Sequence, residues 1–278
     1  MPQPPNPFTA RHALLMGVLN VTPDSFSDGG LYLNPQAATQ RGLEMISQGA
    51  DILDLGAESS RPGSRSVSAK EQLHRLLPVL KELRRQTTTL ISIDTRSAAV
   101  AAACLAEGAN IINDISALRH DRAMLKLLSR ADCRIILMHI LGTPQTMQRH
   151  PVYRNVTSEI IAFFRKRIAV CAVAGIERQR LLIDPGIGFG KTLEHNLTLL
   201  RRLSAFRALK LPIVIGVSRK SFLGVLTDER EPARRVAASV AAGVLAVTQG
   251  AAVLRVHDVA EHAAALRVMK GVLDTKRD

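Results

Sequence analysis

The chain has 278 residues, of which 46% are hydrophobic, so it is long enough to bury a full core. Its net charge of +13 suggests a nucleic-acid partner, but the basic residues are scattered, and two tyrosines with no tryptophan offer little to stack on bases. We therefore interpret the charge as a solvated surface whose positive field attracts anionic substrates, and we expect no nucleic-acid partner. The most apolar later segment, residues 236–247, is shorter than a membrane span and predicts a core helix, so we expect no membrane partner.

The cysteines predict the compartment. Cys104 and Cys133 lie on apolar stretches and Cys171 lies on a predicted helix, and the three share no metal-ligand spacing. This pattern predicts buried thiols in a reduced, cytoplasmic protein. The Pro-rich start predicts a disordered tail over residues 1–12, and the apolar run that follows is too short and wrongly flanked for a signal peptide.

From residue 14 onward the chain repeats a pattern of strand, loop and helix. Near-continuous apolar runs predict strands at 14–19, 51–55, 89–93, 110–112, 134–138, 181–183, 212–215 and 252–256. Such runs are typical of parallel strands that are buried on both faces. Eight of these units in about 260 residues predict a single (β/α)8 barrel of the TIM type, with a parallel eight-stranded core, over residues 13–275. An open doubly wound sheet would need a switch point and a phosphate fingerprint that the sequence lacks.

The stretch LLIDPGIGFGKT, residues 181–192, is the most informative loop. Its strand stops at Asp184, Pro185 cannot continue a ladder, and three alternating glycines let the backbone turn tightly and approach a ligand. The GKT ending resembles a nucleotide phosphate loop, but that motif needs a glycine where Pro185 stands. A carboxylate at the mouth of a buried strand, beside bare backbone, predicts a site for a small polar ligand. The alternative is a plain strand-to-helix loop with a solvated Asp.

Polar side chains stand at or just beyond the ends of most predicted strands, where barrel enzymes carry their catalytic groups. One Asp in such a place is often a helix cap or a turn residue, but the alternative to a site requires eight caps to coincide. The set is Asn20, Asp94, Asn113, His139, Asp184, Lys220, Arg255 and His257.

The chemistry of this set divides in two. Acceptors and an amide for a planar, donor-rich heterocycle come from Asp94, Asn113 and Asp184. Positive charge or donors for an oxyanion or phosphate come from Lys220, Arg255 and His257. Asn20 offers a neutral oxygen to a hard cation such as magnesium. The alternative role for Arg255 is a structural ion pair with a nearby acid such as Asp258.

Seven motifs carry a resemblance to a known family: MGVLNVTPDSFSDGG, DILDLGAESSRPG, SIDT, NIINDIS, LIDPGIGFGK, GVSRKSFLG and LRVHDV. They occur in order, and together they resemble the motif series of the bacterial dihydropteroate synthases. The resemblance implies a (β/α)8 transferase of folate biosynthesis that uses Mg2+. Such an enzyme joins 6-hydroxymethyl-7,8-dihydropterin diphosphate to 4-aminobenzoate and releases diphosphate. It also implies a homodimer.

The resemblance assigns residues to each ligand. It places the pterin on Asp94, Asn113, Asp184 and Lys220. It places the diphosphate on Asn20 (through magnesium), Ser60, Arg61, Arg255 and His257. It places the aminobenzoate near Pro62, Phe189, Lys220 and Ser221, with its carboxylate facing the helix after Lys220. The implied catalytic residues are Asp94, Lys220, Arg255 and His257.

The implied mechanism ionises the pterin methylene before the amine attacks. Magnesium, Arg61, Arg255 and His257 would meet the leaving diphosphate, and the Asp94 carboxylate would favour the pterin cation. An aniline nitrogen attacks without deprotonation, so we interpret His257 as a diphosphate ligand rather than a base, and His139 as a support of the strand ends.

The second loop departs from the family pattern. It reads GAESSRPG where GGEST or GGESSRPG is usual, so Ala57 replaces a glycine, and Ser60 keeps the hydroxyl of the usual threonine without its methyl. We expect this loop and the first one, both rich in Gly, Ser and Pro, to order only when diphosphate is bound.

Two other functions fit parts of the sequence. The methyltetrahydrofolate–corrinoid methyltransferases also bind a pterin in this barrel, but they do not need the diphosphate residues, so SSRPG with Arg255 and His257 argues against them. A basic RNA-binding barrel would explain the charge. It would not explain paired carboxylates at the strand ends, which repel a phosphate backbone.

Overall fold

The computed structural model describes residues 8, 12–22, 34–58 and 66–274. Within these ranges eight parallel strands alternate with helices, which confirms the predicted barrel. The strands are β1 (Leu14–Asn20), β2 (Ile52–Gly56), β3 (Leu90–Asp94), β4 (Ile111–Asp114), β5 (Arg134–Met138), β6 (Leu181–Asp184), β7 (Val214–Gly216) and β8 (Val253–Val256). The helices are α1 (Pro35–Ser47), α2 (Ala69–Gln86), α3 (Ala98–Ala106), α4 (Arg122–Arg130), α5 (Val156–Val173), α6 (Leu193–Arg201), α7 (Ser221–Thr227), α8 (Val236–Thr248) and α9 (Val259–Asp274). A search of the described helices finds none that is both long and apolar enough to span a bilayer.

The sheet runs in the order β6-β5-β4-β3-β2-β1-β8-β7, and β6 meets β7 through a single parallel bridge between Ile183 and Ile213. The Ile183 N–H also donates to the Pro212 carbonyl at 3.0 Å. The predicted start of the seventh strand at Pro212 is wrong, because β7 begins at Val214. Pro212 has no N–H, so it can accept a hydrogen bond but cannot continue a two-way ladder.

The strands on one side of the barrel end at the same level. Neighbouring strands pair Asn20 with Gly56, Gly56 with Asp94, and Asp94 with Asn113. The predicted strands stopped one residue too early at Asn20, Asp94 and Asp184, each of which is the last residue of its strand. Asn20, Asp94 and Asp184 therefore belong to the hydrogen-bonded strands rather than to the loops, and the strands fix their positions relative to one another.

The barrel interior changes from apolar to polar within one layer of side chains. Strand residues packed together at the lower end are Met16, Ile52, Ile111, Ile136, Leu182, Val214 and Val253. Because side chains alternate along a strand, residues two places further on point to the same interior. They are Val18, Asp54, Asn113, Met138, Asp184, Gly216 and Arg255.

Phe8 packs with the lower layer and is 4% exposed. The Arg134 guanidinium lies 5.7 Å from the centroid of its ring. Residues 1–7 and 9–11 of the predicted tail lie outside the described residues, so its disorder stays a prediction. A larger apolar core lies between the strands and the helices, and it holds Cys104, Cys133 and Cys171 as buried free thiols.

Candidate active site

Arg255 sits between two carboxylates of neighbouring strands. Its Nε donates to Asp54 Oδ2 at 2.6 Å, and its Nη2 donates to Asp94 Oδ2 at 3.0 Å. Asn113 Nδ2 donates to the same Asp54 oxygen at 3.2 Å. Arg255 thus forms ion pairs, but with Asp54 and Asp94 rather than with Asp258, the acid named in the alternative, because the guanidinium lies over the barrel interior.

Asp54 was missed by the sequence reasoning, although it is fully buried at the centre of this network. The signal was available: it is a carboxylate inside an apolar strand, two residues beyond Ile52, and so on the interior face. A buried carboxylate in such a place needs a charged partner, and Arg255 supplies one.

The charges of this network depend on one another. Burial alone would lower the pKa of the Arg255 guanidinium, but Asp54 and Asp94 raise it, so this side chain stays charged. Burial raises the pKa of Asp94 to about 7; Arg255 opposes this shift, while Asp54, Asp114 and Glu58 add to it. Asp94 therefore depends on Arg255 to hold its negative charge.

Asp184 ends β6 on the far side of the interior and is only 6% exposed, so the solvated-Asp alternative is wrong. Its Oδ1 accepts the Gly186 N–H at 2.7 Å. Burial raises the pKa of Asp184, while Lys220 and the Gly186 hydrogen bond oppose the shift, followed by Arg255 and Lys191. A buried carboxylate with cations nearby is suited to accept hydrogen bonds from a ligand.

The glycine-rich turn after β6, residues 186–190, packs closely on the loop after β5. Gly186 has φ +71°, and a Cβ there would lie 2.0 Å from the His139 carbonyl oxygen. Gly190 has φ +67°, and a Cβ there would lie 2.6 Å from Leu141 Cβ. These glycines are therefore required by both conformation and space, as the loop motif predicted.

Four side chains from three segments hold the carbonyl groups of the 186–190 turn. Gln148 Nε2 donates to Gly188 O at 2.7 Å, Lys191 Nζ donates to Phe189 O at 2.9 Å, and Tyr153 Oη donates to Gly190 O at 3.0 Å. Lys220 Nζ donates to Ile187 O from the loop after β7. The turn is thus a fixed wall of the site.

Lys220 links this wall to the loop after β7. Its Nζ lies 4.8 Å from the centroid of the Phe189 ring, in cation–π contact. Burial lowers the pKa of Lys220 to about 8, although Asp184 opposes the shift. Ser221 follows as the exposed first residue of α7. The structure thus brings Lys220, Phe189 and Asp184 to one side of the strand ends.

The loops after β7 and β8 are joined by two contacts. Arg219, which has φ +60°, donates to both carboxylate oxygens of Asp258, with Nε 3.0 Å from Oδ2. His257 Nδ1 lies 3.1 Å from Ser218 Oγ, which also accepts the His257 N–H at 3.2 Å. Asp258 therefore serves the loop that carries Lys220, and His257 lies at the edge of the site rather than in its interior.

Asn20 faces the other side of the strand ends. Its Oδ1 lies 3.7 Å from the point where a Cβ on Gly56 would stand, and Asp94 Oδ2 lies 4.0 Å from the same point. An amide oxygen and a carboxylate oxygen thus flank bare backbone. A search of the described ranges finds no group of three or more His, Cys, Asp or Glu side chains that could hold a metal ion.

The predicted residues Ser60, Arg61 and Pro62 lie outside the described residues, as do the tips of the first two loops. The described start of the second loop is held on both sides: Ala57 O accepts from Arg75 Nη1 at 3.0 Å, and Glu58 pairs with Arg96 at 2.9 Å. Ala57 is not among the residues with positive φ, so its replacement of the usual glycine costs no backbone strain.

The Asp54 network makes a prediction about stability. Asp54→Ala leaves Arg255 with one carboxylate and removes the acceptor of Asn113, so the free energy of unfolding should fall by about 3–5 kcal/mol. Urea titration followed by circular dichroism measures this loss. Asp132→Ala, at an exposed carboxylate between α4 and β5, should change stability by less than about 0.5 kcal/mol. Equal stability of the two variants would mean that the buried network is not coupled to folding.

Comparison with known proteins places this geometry in a family. The model of the "Pterin binding enzyme" family matches residues 16–257. The dihydropteroate synthase of Escherichia coli K12 is 43% identical over 267 residues, which cover 96% of this chain and 94% of that protein. The Xanthomonas albilineans dihydropteroate synthase with 4-aminobenzoic acid superposes with a TM-score of 0.91 at 42% identity, over 96% of this chain and 95% of that one.

A second structure of the Xanthomonas albilineans enzyme, in complex with 7,8-dihydropteroate, superposes with a TM-score of 0.87 at 40% identity, over 96% of this chain and 95% of that one. The similarity spans the whole barrel, and it includes every strand that carries a polar residue of the site. The chain therefore belongs to the dihydropteroate synthase family of pterin-binding transferases.

Proposed function

We propose that this protein condenses 6-hydroxymethyl-7,8-dihydropterin diphosphate with 4-aminobenzoate to give 7,8-dihydropteroate and diphosphate. The observation that supports this best is the convergence of Asp94, Asn113, Asp184 and Lys220 over one end of the barrel. Related enzymes of the family bind 4-aminobenzoic acid and 7,8-dihydropteroate. The test is release of diphosphate when both substrates and magnesium are added. Methyl transfer to a corrinoid without diphosphate release would favour the rival function.

The pterin site uses buried acceptors. A pterin ring presents several N–H donors in one plane, and Asp184 and Asp94 are carboxylates whose burial makes a charge-assisted hydrogen bond from a ligand strong. Among the described residues, the Gly186 N–H is the group that donates to the Asp184 side chain, and it contacts Oδ1. Oδ2 is therefore left for the ligand. Asn113 adds an amide beside Asp94, and Lys220 adds a donor from the opposite side.

The aminobenzoate site lies further out. The Phe189 ring and the Lys220 side chain form one surface of it, and Ser221 offers an exposed hydroxyl at the start of α7. Lys220 thus adjoins both substrates. The amine of 4-aminobenzoate would therefore reach the pterin methylene beside the Lys220 side chain. Pro62, the remaining residue assigned to this ligand, stays a prediction.

The diphosphate site takes Asn20, Arg255 and His257 from the described residues and Ser60 and Arg61 from the second loop. One neutral oxygen cannot hold magnesium alone, but this ion is commonly bound by few protein ligands together with substrate phosphates and water. The Asn20 amide oxygen beside bare Gly56 fits an ion that arrives with the diphosphate. When bound, magnesium supplies charge that stabilises the leaving diphosphate.

The residues then divide the work of the reaction. Arg255 stays positive between two carboxylates, so it can stabilise the leaving group while it holds Asp94 in place. Ionised Asp94 favours the positive charge that develops on the pterin. Ser218 fixes the His257 ring at the edge of the site, where it serves as a ligand rather than as a base.

A homodimer in the cytoplasm is part of the proposal. Exposed apolar side chains on the last helix, Val268, Val272 and Leu273, are each about 70% exposed, and Leu245 on α8 is 46% exposed. Such a patch on a helix pair suits contact with a second copy. The buried free thiols suit a reducing compartment.

The first prediction concerns the pterin site. Asp184→Asn keeps the shape and the Gly186 hydrogen bond but removes the charge, so the variant should fold and bind the pterin substrate about ten- to a hundred-fold more weakly. Calorimetry on the folded variant measures this loss. Unchanged affinity would remove Asp184 from the site.

The second prediction concerns Arg255. Lysine keeps the charge but cannot donate through a planar fork to Asp54 and Asp94 together, so Arg255→Lys should lower the melting temperature. It should also slow the single-turnover rate by about tenfold or more, and by more than it weakens pterin binding, because its effect grows as the bond breaks. A lowered melting temperature with a normal rate would make Arg255 purely a structural partner of the two acids.

The third prediction concerns assembly. Sedimentation equilibrium should give the mass of two chains for the wild-type protein, and Val272→Lys should shift it toward one chain, because a charge in an apolar interface is costly. Lys270→Glu on the same helix, outside this patch, is the matched control. A wild-type monomer at micromolar concentration would contradict the dimer.

A further inference from the structure

Lys191 is a buried cation that the reaction proposed above does not use. Its side chain is only 3% exposed, although lysine is among the residues most rarely buried. Its Nζ donates to Phe189 O at 2.9 Å and lies 3.1 Å from His139 Nδ1. The ion pairs formed among residues 12–22, 34–58 and 66–274 do not include it. The burial of a lysine whose acceptors are neutral therefore needs a physical explanation.

The position of Lys191 relative to Asp184 supplies that reason. Its Nζ lies 3.5 Å from the point where a Cβ on Gly186 would stand, and the Gly186 N–H is the donor that holds Asp184 Oδ1. The ammonium group therefore lies directly behind the backbone that orients the carboxylate. Its contact with Phe189 O ties the same group to the wall of the aminobenzoate site.

We propose that Lys191 is a positioning residue of the pterin site, a cation behind the 186–190 turn that keeps Asp184 in its ionised form at mildly acidic pH. This inference rests on the proposed function, because it takes Asp184 as a pterin ligand. Lys191 itself touches the turn and His139 rather than a substrate.

The direction of the pH dependence follows from the two groups. Burial lowers the pKa of Lys191 to about 7, with Asp184 opposing the shift, so this side chain is positive below neutral pH and becomes neutral above it. Burial raises the pKa of Asp184, and Lys191 is one of the cations that oppose the shift. Lys191 therefore carries its charge in the pH range where Asp184 would otherwise gain a proton.

Other groups around this pair act on the same carboxylate. Burial and the neighbouring cations lower the pKa of His139 to about 2, so His139 is neutral and accepts from Lys191. Arg119 from the loop after β4 adds positive charge near His139. The titratable and charged groups that surround the pair are Arg119, His139, Tyr153, His195, Lys220 and Arg255. Lys220 and Arg255 belong to the proposed binding site, so among the three cations that oppose the shift of Asp184 only Lys191 can be changed without removing a proposed contact to the substrate.

The experiment measures binding of 6-hydroxymethyl-7,8-dihydropterin, which lacks the diphosphate and cannot react, by calorimetry over a range of pH. In Lys191→Gln, Asp184 should take up its proton at higher pH than in the wild type. The ratio of the variant dissociation constant to the wild-type one should be about tenfold at about pH 6, and it should approach one at about pH 8.5, where wild-type Lys191 has lost its charge. A ratio that does not change with pH would overturn the proposal.

Tyr153→Phe is the matched control. It removes one hydrogen bond to the same turn, at Gly190 O, and leaves the charge of Lys191 in place. Its effect on binding should be the same at every pH. If Lys191→Gln fails to fold, the wild-type protein labelled with 15N-lysine still tests the idea, because the buried Nζ resonance should titrate near neutral pH. A resonance in its neutral form at about pH 6 would overturn the proposal, because a neutral side chain cannot favour the ionised carboxylate.

A double variant separates this inference from the proposed function. In an Asp184→Asn background the position no longer titrates, so adding Lys191→Gln should give a ratio that is constant with pH. If Asp184→Asn alone leaves pterin binding unchanged, the proposed site is wrong. If Asp184→Asn weakens binding but Lys191→Gln shows no pH dependence in the wild-type background, only the role of Lys191 is wrong.

Discussion

The contact of Arg255 with Asp54 and Asp94 is the interaction on which the site depends. Charges inside a barrel cost several kcal/mol each unless they are paired with good geometry. Here one guanidinium spans from β8 to carboxylates on β2 and β3, with donor distances of 2.6 and 3.0 Å. This arrangement lets an interior that is apolar at the level of Met16 and Val253 become polar one layer higher. Asn113 and Asp184 occupy the same layer as Asp54 and Arg255 because strand periodicity places them there.

The opposite side of the site is built by a different method. The 186–190 turn has few hydrogen bonds within itself, and its shape is set by glycines with positive φ and by side chains that reach its carbonyl groups from outside. Two of these side chains are lysines that approach from opposite directions, Lys220 from the ligand side and Lys191 from the core. The wall that carries Phe189 is thus held from both sides.

Much of the fold could be predicted from the sequence, because buried parallel strands leave long apolar runs, and most of these runs have a polar residue at or just beyond their ends. The register of those strands could not be predicted. Strand alternation alone places Asp54 on the interior face, but its partner Arg255 lies 201 residues further along the chain, and neither segment by itself shows that the two meet. The alternative for Arg255 named Asp258 because it is near in sequence, whereas the acids that pair with Arg255 are Asp54 and Asp94, which are far from it in sequence. Proximity along the chain says little about a closed barrel, in which β8 lies against β1. The placement of Ser60, Arg61 and Pro62 stays a prediction, because they lie outside the described residues.

The seam between β6 and β7, where the two ends of the sheet meet, relates the pairing of the strands to the binding of a ligand. Seven of the eight junctions between strands are continuous ladders, but this one has a single bridge, and it lies directly below the two loops that carry Phe189 and Lys220. The contact from Lys220 to Ile187 O crosses the same seam higher up. A ligand that draws the lysine toward itself removes a link between the two edges and must replace it with its own contacts. The spacing of these two loops therefore depends on the Lys220 side chain and the ligand that it contacts, as well as on the backbone bridge below them.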